Sequence, residues 1–302
     1  KYQEGYIDFE IEEPVIELDK TTGNVIAIKK RERLSSEILI ENFMVFANEV
    51  VSKTIADLKV PSIYRIHECP DVEKVQNLNL FISSILPQEH YQLKQSNNPR
   101  DFQKFVNQIK EKRFDNLVKM FLLKTMQKAK YSSHNIGHFG LASQYYSHFT
   151  SPIRRYPDLL LHRIIWEVIF KGNKHYSEKK SHEIDQIALS SSNAEVIAVD
   201  LERKVMDMKK AEYYKNFVDK EISATIVSIQ KFGFFVDLGD TSNALVHIST
   251  LEDAENYKIS DDYYSLSNES KNKTFKIGQK VTIKIDSVAK LEGKINAFVI
   301  EK

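Results

Sequence analysis

One cysteine, Cys69, is all that 302 residues contain. That excludes an internal disulfide framework, leaves no disulfide partner and suits a reducing compartment. No apolar run reaches the roughly 18 residues that a membrane span requires, and the first residues lack the charged-then-apolar pattern of a secretory signal. The chain is therefore expected to be soluble and cytoplasmic, with no membrane partner. Excess charge is missing as well: 43 Lys and Arg against 42 Asp and Glu leave a net charge of +1. Any polyanion site must then come from local clustering rather than from a basic surface overall. Nine histidines are scattered without ligand spacing, so no zinc site is expected. Internal repeats and low-complexity tracts are also absent.

What is present is ordinary globular material. Hydrophobic residues make up 42% and charged residues 28%, enough to bury a sizeable core, and the length favours two domains. Short strands are expected at Ile7 to Ile11, Val15 to Leu18 and Val25 to Ile28, with a Thr-Gly-Asn turn between the last two. "RERLSSEILIENFMVFANEVVSKTI" then changes period. Ser35 or Ser36 can cap a helix, and Ile38, Met44, Val45, Val51 and Ile55 recur at helical spacing. Leu39, Ile40, Phe43 and Phe46 widen that face, which predicts a helix buried nearly all round. "SIYRIHE" reads as a strand, and Val72 to Ile85, Asp101 to Lys112, Phe114 to Lys130 and Leu159 to Phe170 as helices. A long amphipathic helix follows from His182 to Tyr214, with Ile184, Ile187, Ala194, Leu201, Val205 and Met208 among its expected buried positions. From Glu221 onward there is no proline, and alternation with period two predicts an all-β unit. The domain boundary is expected near Phe217.

"HFTSPIRRYPD", His148 to Asp158, lies in a long irregular stretch rich in aromatic, Gly, Ser and His residues. Such stretches inside compact domains usually serve function. Arg154 and Arg155 are permanent cations whose forked donors match phosphate oxygens. A helix begins either at Ser151-Pro152, as cap and first residue, or only at Pro157. Both alternatives stiffen the backbone around the pair. An isolated Arg-Arg most often pairs with surface acids, but the surroundings are specific. "GHFGLASQYYSHFTSPIRRYPDLLLHR", Gly137 to Arg163, resembles the signature of the ribonuclease II (RNB) family of 3′-to-5′ exoribonucleases, and the resemblance extends through "LIENFMVFANE" and "VPSIYRIHECPD".

This resemblance implies an α+β fold: residues 1–217 as a mostly helical C-terminal part of an RNB catalytic domain, residues 218–302 as an S1 RNA-binding domain. It implies processive hydrolysis of single-stranded RNA to nucleoside 5′-monophosphates with Mg²⁺ as cofactor. Arg154 would neutralise charge developing on the scissile phosphate, and Arg155 would hold the same or the neighbouring phosphate. Glu41, by resemblance, accepts a hydrogen bond from a terminal 2′-hydroxyl, with a buried ion pair as the alternative. Phe9 matches an aromatic that stacks on a base, core packing being the alternative. His138, Thr150, Ser151 and Tyr156 complete the expected RNA-contacting set, and Asp158 is expected to shape the loop. The family's D-x(5)-D-x-D-D metal motif does not occur in these 302 residues: Asp261 and Asp262 stand without the other two acids, and the alternating Asp8, Glu10 and Glu12 do not fit. The chain is accordingly expected to be part of a longer enzyme, inactive by itself, with the metal ligands elsewhere. The alternative function is a noncatalytic RNA-binding protein.

"EISATIVSIQKFGFFVDLG", followed by "ALVHIS", resembles an S1 domain, a five-stranded OB-fold barrel that stacks bases on exposed aromatics. Phe232, Phe235 and His247 match its RNA-contacting positions, with Lys231, Lys280 and Lys284 as the adjacent charge. The oligomeric state is left open.

Overall fold

In a computed structural model, the described residues are all except 1, 10, 11, 87–90, 95, 111, 113, 174, 177–179, 301 and 302. A 3-10 turn at Tyr2–Glu4 precedes a hairpin, β1 (Pro14–Leu18) and β2 (Val25–Lys30), paired from Pro14 against Lys30 to Leu18 against Val25. The expected first strand does not form at residues 7–9, and Glu10 and Ile11 lie outside the described residues.

Helix α1 (Ser35–Asp57) begins with Leu34 in the capping position. Neither serine caps it; the Glu37 carboxylate instead accepts the Leu34 N–H at 3.1 Å, the returning half of a capping box. Next come β3 (Tyr64–Ile66), α2 (Val72–Ile85), α3 (Pro99–Ile109), α4 (Asp115–Thr125) and β4 (Lys130–Ser132). Asp71 caps α2, and Asn98 with Pro99 starts α3. Strands β3 and β4 pair antiparallel, Tyr64 opposite Ser132. α5 (Tyr156–Ile165) runs into a π-helical turn, Trp166–Phe170, and α6 (Ser181–Tyr214) is the longest helix.

Burial departs from expectation on two helices. The buried residues of α1 are Asn48, Ser52 and Ile55, whereas Phe43 and Phe46 are 62% and 64% exposed. Neighbouring elements cover a single stripe of α1, so the apolar residues on its other sides meet solvent. α6 is buried at its ends, at Ile184, Ala188, Ala211 and Tyr214. Ala194, Leu201 and Val205, expected inside, lie on the exposed middle of the helix, which runs between two cores and packs against them through its two ends.

Those cores differ in extent. A smaller one joins Ile55, Ile63, Tyr131, Leu161, Ile164 and Ile184 beneath the irregular loop. The larger joins α2, α3 and α4 to a closed five-stranded barrel with strand order β11-β12-β7-β6-β5. The barrel strands are β5 (Glu221–Gln230), β6 (Gly233–Asp237), β7 (Asn243–His247), β11 (Lys280–Ala289) and β12 (Lys294–Val299). β12 runs parallel to β7 and the remaining pairs are antiparallel, the S1-type OB-fold. A three-stranded sheet, β8 (Tyr257–Ile259), β9 (Ser265–Asn268) and β10 (Lys273–Lys276), is inserted between β7 and β11.

Polar latches seat the barrel on α6. The Tyr214 hydroxyl donates to Asp240 at 3.0 Å, Lys210 donates to the Thr241 carbonyl at 2.7 Å, and Glu212 pairs with Lys290 at 2.9 Å. Gly293, at φ +66°, closes this contact: a Cβ there would stand 2.8 Å from Asp207.

Candidate nucleic-acid interface

The Thr-Ser-Pro-Ile-Arg-Arg loop is held from below by one carboxylate. Asp158, on the first turn of α5, is fully buried. Its Oδ1 accepts the Ser151 N–H at 2.8 Å and pairs with Arg155 at 2.7 Å. The Ser151 carbonyl in turn accepts the N–H groups of Arg154 and Arg155, at 3.3 and 3.1 Å. The helix itself begins at Tyr156 with Arg155 in the capping position and Pro157 in its first turn. Of the two starts open in the sequence, the later one forms.

This geometry divides the arginine pair. The Arg155 side chain is 22% exposed, and its guanidinium is engaged by Asp158 through one nitrogen. Arg154 is exposed and makes no ion pair among the described residues. Ile153, next to it, is 100% exposed. Tyr156 is 47% exposed, with the Arg163 guanidinium 5.9 Å from its ring centre. Thr150 and Ser151 are partly buried on the same loop.

Beneath the loop lies a layer of histidine and tyrosine rings. His148 Nδ1 is 2.8 Å from the Tyr131 hydroxyl, and the Asn48 amide of α1 donates to the Tyr146 hydroxyl at 3.0 Å while accepting the Phe149 N–H at 2.9 Å. His138 faces inward in this layer, its Nδ1 accepting the Leu141 N–H at 3.3 Å. Burial, His67 and Arg65 pull the His138 imidazole down to about 3. Burial and the nearby cations Arg155 and Arg65 draw His148 down to about 2. Both rings are therefore neutral near pH 7. Arg65 is pinned by a bidentate pair with Glu195 of α6, at 2.5 and 2.9 Å, and its guanidinium lies 4.7 Å from the Tyr131 ring centre. Neither Arg65 nor Glu195 was legible in the sequence as a site residue, since 130 positions separate them.

Glu41 and Phe9 belong to a second cluster, at the N-terminal end of α1. Both line a cavity of about 450 Å³. Glu41 is not a buried acid: its side chain is 40% exposed and pairs with Arg33 at 2.5 Å. Phe9 is partly buried and packs against the larger core. Glu41, Asn48 and Ser52 share one stripe of α1, where Ser52 accepts a hydrogen bond from the Ser147 hydroxyl at 3.0 Å. Seven residues at 1.5 Å each place Glu41 about 10 Å along the helix from Asn48 and its loop.

On the barrel, Phe232 is 45% exposed, at the turn between β5 and β6. Gly233 makes that turn possible: it sits at φ +139°, and a Cβ there would stand 2.1 Å from the Val246 carbonyl. Phe235 is partly buried, its ring centre 6.1 Å from that of Phe232 and perpendicular to it. His247 and Lys231 are exposed nearby in sequence register, Gly233 pairing with His247. Lys280 is exposed, and Lys284 is committed to Asp219 at 2.9 Å.

Fold and site together define a helical lobe that presents an arginine loop and carries an S1-type barrel. Residues 1–171 match the model of the RNB domain and residues 215–297 that of the S1 RNA binding domain. The chain is 45% identical over 308 residues to ribonuclease R of Mycoplasmopsis pulmonis, covering 100% of this chain and 41% of that protein. It is 32% identical to ribonuclease R of Escherichia coli, covering 99% and 37%. RNase R of Mycoplasma genitalium in its apo form superposes with a TM-score of 0.91 at 27% identity, over 99% of this chain and 47% of that one. The same values hold for its complex with ribose methylated single-stranded RNA. The chain belongs to the RNB family, and it spans about two fifths of the length of these curated relatives.

Family membership is consistent with a divalent-metal requirement. Among the described residues no group of three or more His, Cys, Asp or Glu side chains is placed to hold a metal ion. The described residues therefore do not fit such an ion. No helix among the described residues is long and apolar enough to cross a membrane.

Proposed function

We propose that this chain works as the RNA-gripping portion of a hydrolytic 3′-to-5′ exoribonuclease acting on single-stranded RNA in the cytoplasm, with residues 1–217 as catalytic-domain sequence and 218–302 as the S1 module. The observation that carries the reading is the divided arginine pair. Asp158 fixes the loop from inside through Arg155 and the Ser151 N–H, and Arg154 stands exposed with no carboxylate paired to it among the described residues. A cation held in place before its anion arrives loses little freedom on binding, which is the condition for stabilising charge that develops on a phosphate. Arg154 is the phosphate ligand and Arg155 its brace. Thr150, Ser151 and Tyr156 line the approach, Glu41 and Phe9 receive the terminal nucleotide, and Phe232, Phe235 and His247 stack and guide the strand on the barrel. Its Mg²⁺ finds no group of ligands among the described residues.

Fluorescence anisotropy with a labelled single-stranded oligoribonucleotide tests the reading on the 302-residue chain. Affinity falls with added salt, and Arg154→Ala lowers the log-log salt slope by about 0.7, the value of one phosphate contact on a single strand. A slope that Arg154→Ala leaves unchanged counts against the role given to this residue. In an active enzyme carrying this sequence, the same substitution lowers kcat by about 10²–10³-fold.

A further inference from the structure

A single guanidinium is shared by two carboxylates where the N-terminal segment meets α1. Arg33 Nη1 donates to Asp8 Oδ2 at 2.8 Å, and Nη2 donates to Glu41 Oε2 at 2.5 Å. The Tyr6 phenol lies beside the same guanidinium. Tyr6, Asp8, Arg33 and Glu41 line both of two cavities, of about 270 and about 450 Å³, with Phe9 in the second. Only one oxygen of Glu41 is taken by Arg33. The other, Oε1, has no donor among the described residues, and the side chain is 40% exposed.

The physical consequence concerns placement. A glutamate on a helix surface has three rotatable bonds and, left alone, spreads over many rotamers. The planar fork of arginine grips two acceptors in fixed directions, which the point charge of lysine does not. Here the fork binds one acid on each side. Without it, Asp8 and Glu41 would repel, and Glu41 would swing away from the position it now occupies.

We propose that Arg33 is the positioning residue for Glu41: by holding Oε2 it aims Oε1 at the hydroxyl of a terminal ribose, and so sets the preference for a ribonucleotide over a deoxyribonucleotide at that end. This rests on the reading of Glu41 as the ribose acceptor. Arg33 itself touches no substrate. It acts through preorganisation, which separates an OH from a CH₂ because the acceptor is already in place when the nucleotide arrives.

The test uses the 302-residue chain and two labelled oligoribonucleotides of one sequence, ending in a ribonucleotide or a 2′-deoxyribonucleotide. The wild-type chain binds the ribo-ended strand about 10-fold more tightly, the effect of one hydrogen bond to a charged acceptor. Glu41→Ala removes that ratio. Arg33→Ala lowers it below about twofold while affinity for the deoxy-ended strand holds, and Arg33→Lys, which keeps the charge and hence the fold, retains an intermediate ratio. A full ratio in Arg33→Ala or in Arg33→Lys overturns the role of Arg33 and leaves Glu41 standing. Equal loss for both strands makes Arg33 a structural ion pair only and likewise overturns the proposal. No preference in the wild-type chain removes the Glu41 reading and this inference with it.

Discussion

The barrel and the helical lobe close their apolar surfaces in different ways. Inside the barrel, Ile226, Phe234, Val236, Val246, Ile283 and Ile285 are inaccessible to solvent, because strands of period two sort inward from outward residues and the closed ladder leaves no edge. The helical lobe has no such closure. Its α1 shows Phe43 and Phe46 to solvent, and α6 shows Ile197 and Leu201, 69% and 62% exposed. What fixes this lobe around the arginine loop is a set of buried polar groups: Asp158, Asn48, Ser52 and Ser147. A region sealed by apolar packing loses stability when volume is removed, whereas a region organised by polar contacts loses it when one partner is removed.

That contrast is sharpest in two substitutions. Phe234→Ala should cost about 3–5 kcal/mol through lost packing and a cavity in the barrel. Asp158→Ala should cost a similar amount, about 3–5 kcal/mol, by a different route: it strands the Arg155 guanidinium and the Ser151 N–H without an acceptor. Asp158→Asn, which keeps one acceptor, should recover part of the loss, and no Asn-like rescue exists for Phe234. Thermal melts followed by Trp166 fluorescence, the only tryptophan and a reporter of the helical lobe, and by far-UV circular dichroism check both. An Asp158→Ala protein as stable as wild type would break the comparison.

Acid should distinguish the regions next. His138 and His148 lie well below their ordinary value near 6.5, at about 3 and about 2. Between those limits the unfolded chain binds protons that the native rings refuse. Stability is therefore complete above about pH 6.5 and drains as pH falls toward 3, by up to about 1.4 kcal/mol per unit for each histidine. Trp166 fluorescence melts at stepped pH should show the helical lobe weakening across that window, and His148→Gln should flatten the dependence. The smallest effect belongs to the exposed face of α1. Phe43→Ser should change stability by less than about 0.5 kcal/mol, measurable by urea denaturation, where Phe234→Ala is severe.

The barrel was largely legible in the sequence, since alternation and turn residues such as Gly233 specify strands locally, and Phe232 emerged exposed beside that glycine. The extents of α2 and α6 were legible for the same reason. Burial on α1 and α6 was not: periodicity shows which residues share a face but not whether a neighbour covers it, so Leu201 and Val205 read as core and stand in solvent. The arginine loop announced itself by its residues, yet its division did not. Nothing in adjacent Arg154 and Arg155 says that only the second meets a carboxylate. Arg33 and Arg65 were missed because their acids lie at Asp8, Glu41 and Glu195, contacts that no local pattern encodes.

By itself, the sequence determined the residue chemistry available: an RNB-type arginine loop, an S1-type barrel, no disulfide, and a charge balance that forces any anion site to be local. Only the tertiary structure decided which of those cations remain free. Charge is a property of a side chain, but freedom from a counter-charge depends on what folds against it, and Asp158 folds against Arg155.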